Sequence, residues 1–170
     1  MLTKNYYVID QYFRTGRTYS ASYVYDVNNS SRSLNNNYTN YWGLLYYASN
    51  IGVGDISTGT YGIRMGSGTR APALTDINLE SPIVSGLSII NNPVLSRVAF
   101  SDHVEYPISF VVRNKTSEDI TVSELGMFIR ADNSNAGILL DRTVLDVPVV
   151  IPAGERRMIT YTFVFNDPNM

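Results

Sequence analysis

Ile159-Thr160-Tyr161-Thr162-Phe163-Val164-Phe165, close to the end of the chain, alternates large apolar residues with smaller or polar ones. Successive side chains of a strand point to opposite faces, so Ile159, Tyr161, Phe163 and Phe165 share one side while Thr160, Thr162 and Val164 share the other. One buried and one half-wet face is the signature of a strand in an antiparallel sheet. Ile108-Ser109-Phe110-Val111-Val112-Arg113 repeats the pattern, which makes the two segments expected neighbours in one sheet.

Outward from this pair, strand patterns recur at 60–65, 83–90, 94–101, 120–129 and 138–145. Asn91-Asn92-Pro93, the polar runs 114–119 and 132–137, and Pro152-Ala153-Gly154 separate them with the residues that turns require. No segment keeps helical periodicity over three turns behind a start signal, although the run 42–48 is apolar enough to be ambiguous. The expected fold is all-β: a single β-sandwich, of jelly-roll or immunoglobulin-like topology, with two sheets about 10 Å apart.

Composition shifts once, near residue 48, because ten of the thirteen tyrosines and a dense Asn/Ser tract precede it. The expected organisation is therefore a Tyr/Asn/Ser-rich attachment segment over 1–48 and the β-sandwich over 49–170. Tyr19, Ala21, Tyr23, Tyr25 and Val27 alternate as one aromatic strand face. The tract 28–37 holds too little apolar surface to offset its ordering entropy and reads as a loop or arm.

At 170 residues the chain suits one domain and buries about 70% of its unfolded surface. Charged residues make up 16% and the net charge is -2, so there is no basic surface for a phosphate backbone, and nucleic acid is not an expected partner. With no cysteine and one histidine, neither a disulfide nor a zinc cluster is expected. The N-terminus lacks the apolar run of a secretory signal. No stretch approaches the roughly eighteen apolar residues of a membrane helix, so no membrane association is expected.

Residues capable of chemistry are few. His103 lies between Asp102 and Glu105 but reads as a wet hairpin residue. Ser67 sits between glycines without the G-x-S-x-G spacing of a nucleophile elbow. The run 132–137 faintly resembles a calcium loop, yet its twelfth position is Thr143 and the bidentate acid is missing. Gly52-Val53-Gly54 reads as turn chemistry. Asp10, Asp26, Asp55, Glu80, Glu105 and Glu124 read as solvated or turn-capping acids rather than as a glycosidase pair. Tyr41, Trp42, Tyr46 and Tyr47 suit core or interface packing better than sugar stacking. No catalytic residue, cofactor or metal ligand is expected.

Four further stretches have a definite order. Tyr61-Gly62-Ile63-Arg64-Met65-Gly66-Ser67-Gly68-Thr69 precedes Pro72, Asp76 and Leu79. Ser123-Glu124-Leu125-Gly126-Met127-Phe128 follows. Then come Leu139-Leu140-Asp141-Arg142-Thr143-Val144-Leu145 and Pro152-Ala153-Gly154-Glu155. Gly66 and Gly68 suggest a tight turn, Gly126 a bulge or a closely approaching backbone. Because residues 124–129 are apolar on both faces, that strand is expected to be central or at a subunit contact.

In this order and spacing the chain resembles a family of tailed-phage virion proteins of the tail-fibre, collar and head-fibre kind, which share a small β domain. The resemblance implies a non-enzymatic building block of the virion that attaches fibres or decorates the capsid or tail, as a homo-oligomer. Its partners would be capsid, portal or neck, or tail proteins. Long fibre proteins of this kind carry further receptor-binding or coiled regions that these 170 residues lack, so assembly is expected over adhesion. A receptor- or carbohydrate-binding module at a fibre tip is the alternative. Tyr6, Tyr7, Tyr19, Tyr23, Tyr25, Tyr41 and Trp42 are the expected protein–protein contacts, since rigid amphipathic rings give large contact area at low entropy cost.

Overall fold

A computed structural model describes residues 1–7, 9, 24–32, 54–55, 62–91, 94–130 and 137–165. Among them the chain is all-β and antiparallel throughout. Its strands are β1 (Val24–Tyr25), β2 (Ser31–Arg32), β3 (Gly54–Asp55), β4 (Gly62–Gly66), β5 (Leu87–Ile89), β6 (Val94–Leu95), β7 (Val98–Ala99), β8 (Val104–Asn114), β9 (Ile120–Arg130), β10 (Gly137–Ile151) and β11 (Arg156–Phe165). Residues 4–7 form a helical turn at the start.

One sheet has the order β10-β9-β4. A larger one runs β11-β8-β5-β3, with β6 and β7 also pairing to β8, and β1 and β2 form a small hairpin. The expected pairing of the two alternating segments is present, with Ile159 opposite Phe110 and Tyr161 opposite Ile108 in an unbroken register. β9 is the central strand of its sheet, as its two apolar faces indicated. Pro107 is tolerated within β8 because its missing N–H points away from β11, toward β6, where its carbonyl accepts from Ser96 N–H at 3.0 Å.

The main buried cluster draws on both large sheets: Met65, Leu125 and Met127 from one, Ile108, Phe110 and Phe163 from the other. Tyr6, Ile9 and Val24 belong to the same cluster. Thr3 ties residues 1–7 to β10, its N–H donating to the Leu140 carbonyl at 2.8 Å and its hydroxyl to that of Leu139 at 2.7 Å. Val27 N–H reaches the Gly137 carbonyl at 3.0 Å.

Several local expectations need correction. Residues 83–86 are not strand, since Gly86 takes a φ of 86° and Pro82 bridges back to Gly66. The segment 94–101 divides into β6 and β7, whereas β10 continues past an irregularity to Ile151. Gly54 lies in β3 opposite Ile89 rather than in a turn. The start of the Asn/Ser tract is an ordered turn: the buried Asp26 carboxylate accepts from Asn28 N–H at 2.8 Å and Ser30 N–H at 3.0 Å, and pairs with Arg32. This internal cap offsets the ordering entropy of the turn.

Gly126 is not bulged. A Cβ there would meet Leu79 Cδ2 at 2.7 Å and Phe128 Cε2 at 2.9 Å, so side chains, not backbone, crowd it. The bulge falls on β10, where Leu140 is the additional residue between the pairs Leu139–Phe128 and Asp141–Met127. Leu140 and Asp141 both lie opposite Met127 and so share the core side, while Arg142, opposite Gly126, lies on the outer side.

Candidate functional site

Residues 67–82 leave β4 and fold over the outer face of the β10-β9-β4 sheet. Leu79 closes a small apolar cluster there with Phe128 and Leu139. Beside it lies the densest set of charges in the described chain, contributed by Arg70, Asp76, Glu80, Glu124 and Arg142. Neither Glu124 nor Arg142 exposes any surface, at 0% each.

Arg142 is the hub. Its Nε donates to Glu124 Oε2 at 2.7 Å, its Nη1 to Asp76 Oδ2 at 2.9 Å, and its Nη2 to the Arg70 carbonyl at 3.1 Å. Glu124 also accepts from three backbone N–H groups of the cover loop, those of Ser81 at 2.8 Å and of Gly68 and Glu80 at 3.1 Å each. Asp76 takes Arg70 Nη2 at 2.7 Å and Ala73 N–H at 2.9 Å, and Arg70 N–H donates to Glu80 at 2.8 Å. Charged groups removed from water survive only with partners of this quality.

The glycines make room for the carboxylate. A Cβ on Gly66 would collide with Glu124 Oε1 and stand 2.7 Å from the Ser81 carbonyl; one on Gly68 would stand 2.6 Å from both Glu124 and Glu80. Positive φ is found at Gly62, Gly86 and Gly154 and not at these two, so space, not turn geometry, requires them. Glu124 is therefore no solvated acid. The signal for it was an acid at the head of the apolar run Leu125 to Ile129, and Arg142 between the apolar residues Leu139-Leu140 and Val144-Leu145 was its counterpart.

Burial alone would raise the Asp76 and Glu124 carboxyls, but the N–H groups of Ala73 and Ser81 and the arginines outweigh it, and both lie below the ordinary range. Burial likewise acts against Asp26, where Ser30 N–H and Arg32 reverse it. The outcome is testable. Below the usual carboxylate range, at about pH 4, the unfolded chain binds more protons than the folded one, so stability falls as pH falls. The urea midpoint should hold between about pH 5 and 6.5 and drop steeply toward pH 3, with a shallower slope in Glu124→Gln. A midpoint unchanged down to pH 3 would refute the network's role.

Three of the expected contact residues are among the described ones. Tyr6 is a core residue, its ring edge-on to Phe163 at 5.8 Å. Tyr7 is exposed. Tyr25 is half-buried, its backbone N–H and carbonyl both bonded to the Asn5 side chain at 3.0 and 2.8 Å. Tyr19, Tyr23, Tyr41 and Trp42 lie outside the described residues, as do Tyr46, Tyr47, Asp10 and the run 132–136. A shallow depression is lined by Lys4, Asn5, Tyr25, Asn29 and residues 74–77. The Asn5 and Asp76 side chains within it are already engaged by neighbours.

The outer face of the larger sheet differs. Val98, Glu105 and Val164 form one row across it, and Val94, Ser109 and Thr160 another. Val94, Val98, Met158 and Val164 are exposed, Met158 at 72%. At the β7–β8 turn His103 stacks on Phe100 at 4.4 Å, with Nδ1 2.7 Å from Asp102 and Nε2 3.4 Å from Glu105. Two acceptors favour the doubly protonated ring, and the Asp102 bond raises its pKa.

No family model, curated protein or solved structure matches this chain.

Proposed function

We propose that the chain is a structural subunit of a tailed-phage virion, a fibre, collar or decoration and attachment component that acts through protein–protein assembly without catalysis. In this reading the two large sheets are the layers of one β-sandwich of jelly-roll or immunoglobulin-like kind. The observation that carries it is the division of labour among side chains. The ionisable cluster that would be a candidate site is sealed and saturated, while valines and a methionine stand exposed on a sheet face. Such a face is suited to contact with other proteins.

Supporting it is the sequence resemblance, whose separate stretches meet at one place: Gly66, Gly68, Asp76, Leu79, Glu124 and Arg142 together build the cover over the smaller sheet. They are motif residues because they hold a fold. The test is mass spectrometry and density mapping of particles from a phage that encodes this chain. The expected result is a copy number set by particle symmetry, with an appendage lost when the gene is deleted. Absence from mature particles would overturn the reading. Soluble protein that bound host cells and blocked infection would move it to the fibre-tip alternative.

A further inference from the structure

Among the described residues, two of the sheet margins, β10 and β11, are treated in opposite ways. β10 is broken by two register irregularities, carries Pro148, and is met along part of its free side by Leu2, which bridges to Asp141. Bulges, proline and covering segments are the usual defences of an edge strand. β11 has none of them. It runs Arg156–Phe165 without proline or register shift, and among the described residues only β8 pairs with it.

Hydrogen-bond parity says which groups that edge presents. Asn114 N–H donates to the Glu155 carbonyl at 2.9 Å, which makes Arg157, Ile159, Tyr161 and Phe163 the residues bonded to β8. The main-chain groups of Met158, Thr160, Thr162 and Val164 then point outward from the sheet. Their side chains are exposed, as are those of Arg156 and Arg157.

We propose that this edge is the seam of a two-fold dimer, in which β11 of one copy pairs antiparallel with β11 of a second about an axis at Thr160. The inference rests on the assembly reading and names its partner as the same chain. Pairing at this register opposes Thr160 to Thr160, Met158 to Thr162 and Arg156 to Val164, joining the larger sheets of two copies into one. Charge selects a second copy as the occupant. The row that ends at Val164 continues to Glu105, with Asp102 on the adjoining turn, so the partner's Arg156 arrives beside carboxylates at each end of the seam. An arginine stem lying over Val164 spans the two strand spacings, about 10 Å, to Glu105. Parallel pairing would instead crowd the Arg156–Arg157 pairs of both copies together.

Sedimentation velocity of the full chain at about 0.1 mM tests this. The expected species is twice the 19.0 kDa chain mass. Thr160→Pro removes an outward N–H while sparing the β8 ladder, and should give monomers with an unchanged circular dichroism spectrum. Thr162→Lys, which puts a charge on the edge, should do the same and decides the matter if the proline variant does not fold. Glu105→Arg or Arg156→Glu alone should each weaken the dimer about fivefold or more, acting at two symmetric contacts, and together restore it. A monomeric parent, a dimer that persists in the folded edge variants, or a closed trimer would overturn the seam. None of those results bears on the presence of the chain in particles, which the virion measurement judges separately.

Discussion

Arg142→Met is expected to cost about 3–5 kcal/mol, since it leaves the Glu124 and Asp76 carboxylates buried beside no cation. Domains of this size have only about 5–15 kcal/mol in total, so the urea midpoint at pH 7 should fall by a large fraction. The remedy available to the variant is protonation. Below about pH 4 the deficit against the parent should shrink, because the abandoned acids can then be neutral. Adding Glu124→Gln to Arg142→Met should return part of the loss, with a coupling of about 1–3 kcal/mol typical of partners in one network. A single exchange that left the midpoint within experimental error would show that the cover loop is held by Leu79 and its apolar neighbours alone.

Gly66→Ala is expected to cost about 1–3 kcal/mol, and more than Gly68→Ala. The reason lies in what each new methyl would touch. At Gly66 it meets the Ser81 carbonyl at 2.7 Å as well as the Glu124 carboxylate, and a main-chain oxygen in the cover loop cannot step aside without breaking the Ser67 and Ser81 hydrogen bonds. At Gly68 the nearest neighbours include no main-chain atom: they are the Glu124 carboxylate and the Cβ and carboxylate of Glu80, the last of which can turn aside. Thermal unfolding of the two variants side by side checks the ranking. Equal or reversed losses would refute the claim that backbone proximity, rather than carboxylate crowding, sets the requirement at Gly66.

Much of the framework could be read from residue order. The pairing of β8 with β11 was legible because both alternate β-branched and aromatic residues against small or polar ones, a pattern that suits only one face of a pleated sheet to the core. The central place of β9 followed from apolar residues on both of its sides. What escaped was non-local. Nothing in the neighbourhood of Arg142 announces that residues 67–82 will return across the sheet to meet it, so Glu80 and Glu124 looked like ordinary surface acids. The function assigned to Gly66 and Gly68 was misjudged for the same reason, as a turn is a local device while a recess for a distant carboxylate is not. Tyr6 shows the converse limit: an amphipathic ring suits an interior and an interface equally, and only the fold decides between them.

The supernumerary Leu140 makes pairing phase, rather than residue type, the quantity that β10 must preserve. Drawing Leu140 into regular pairing opposite Met127 would leave every downstream side chain intact yet turn the strand over, carrying a guanidinium toward the oily interior and a carboxylate beneath the cover. Aspartate, arginine and threonine at 141–143 are thus tolerable only in phase with their surroundings, and laboratory reshaping of this protein should keep Asp141 opposite Met127.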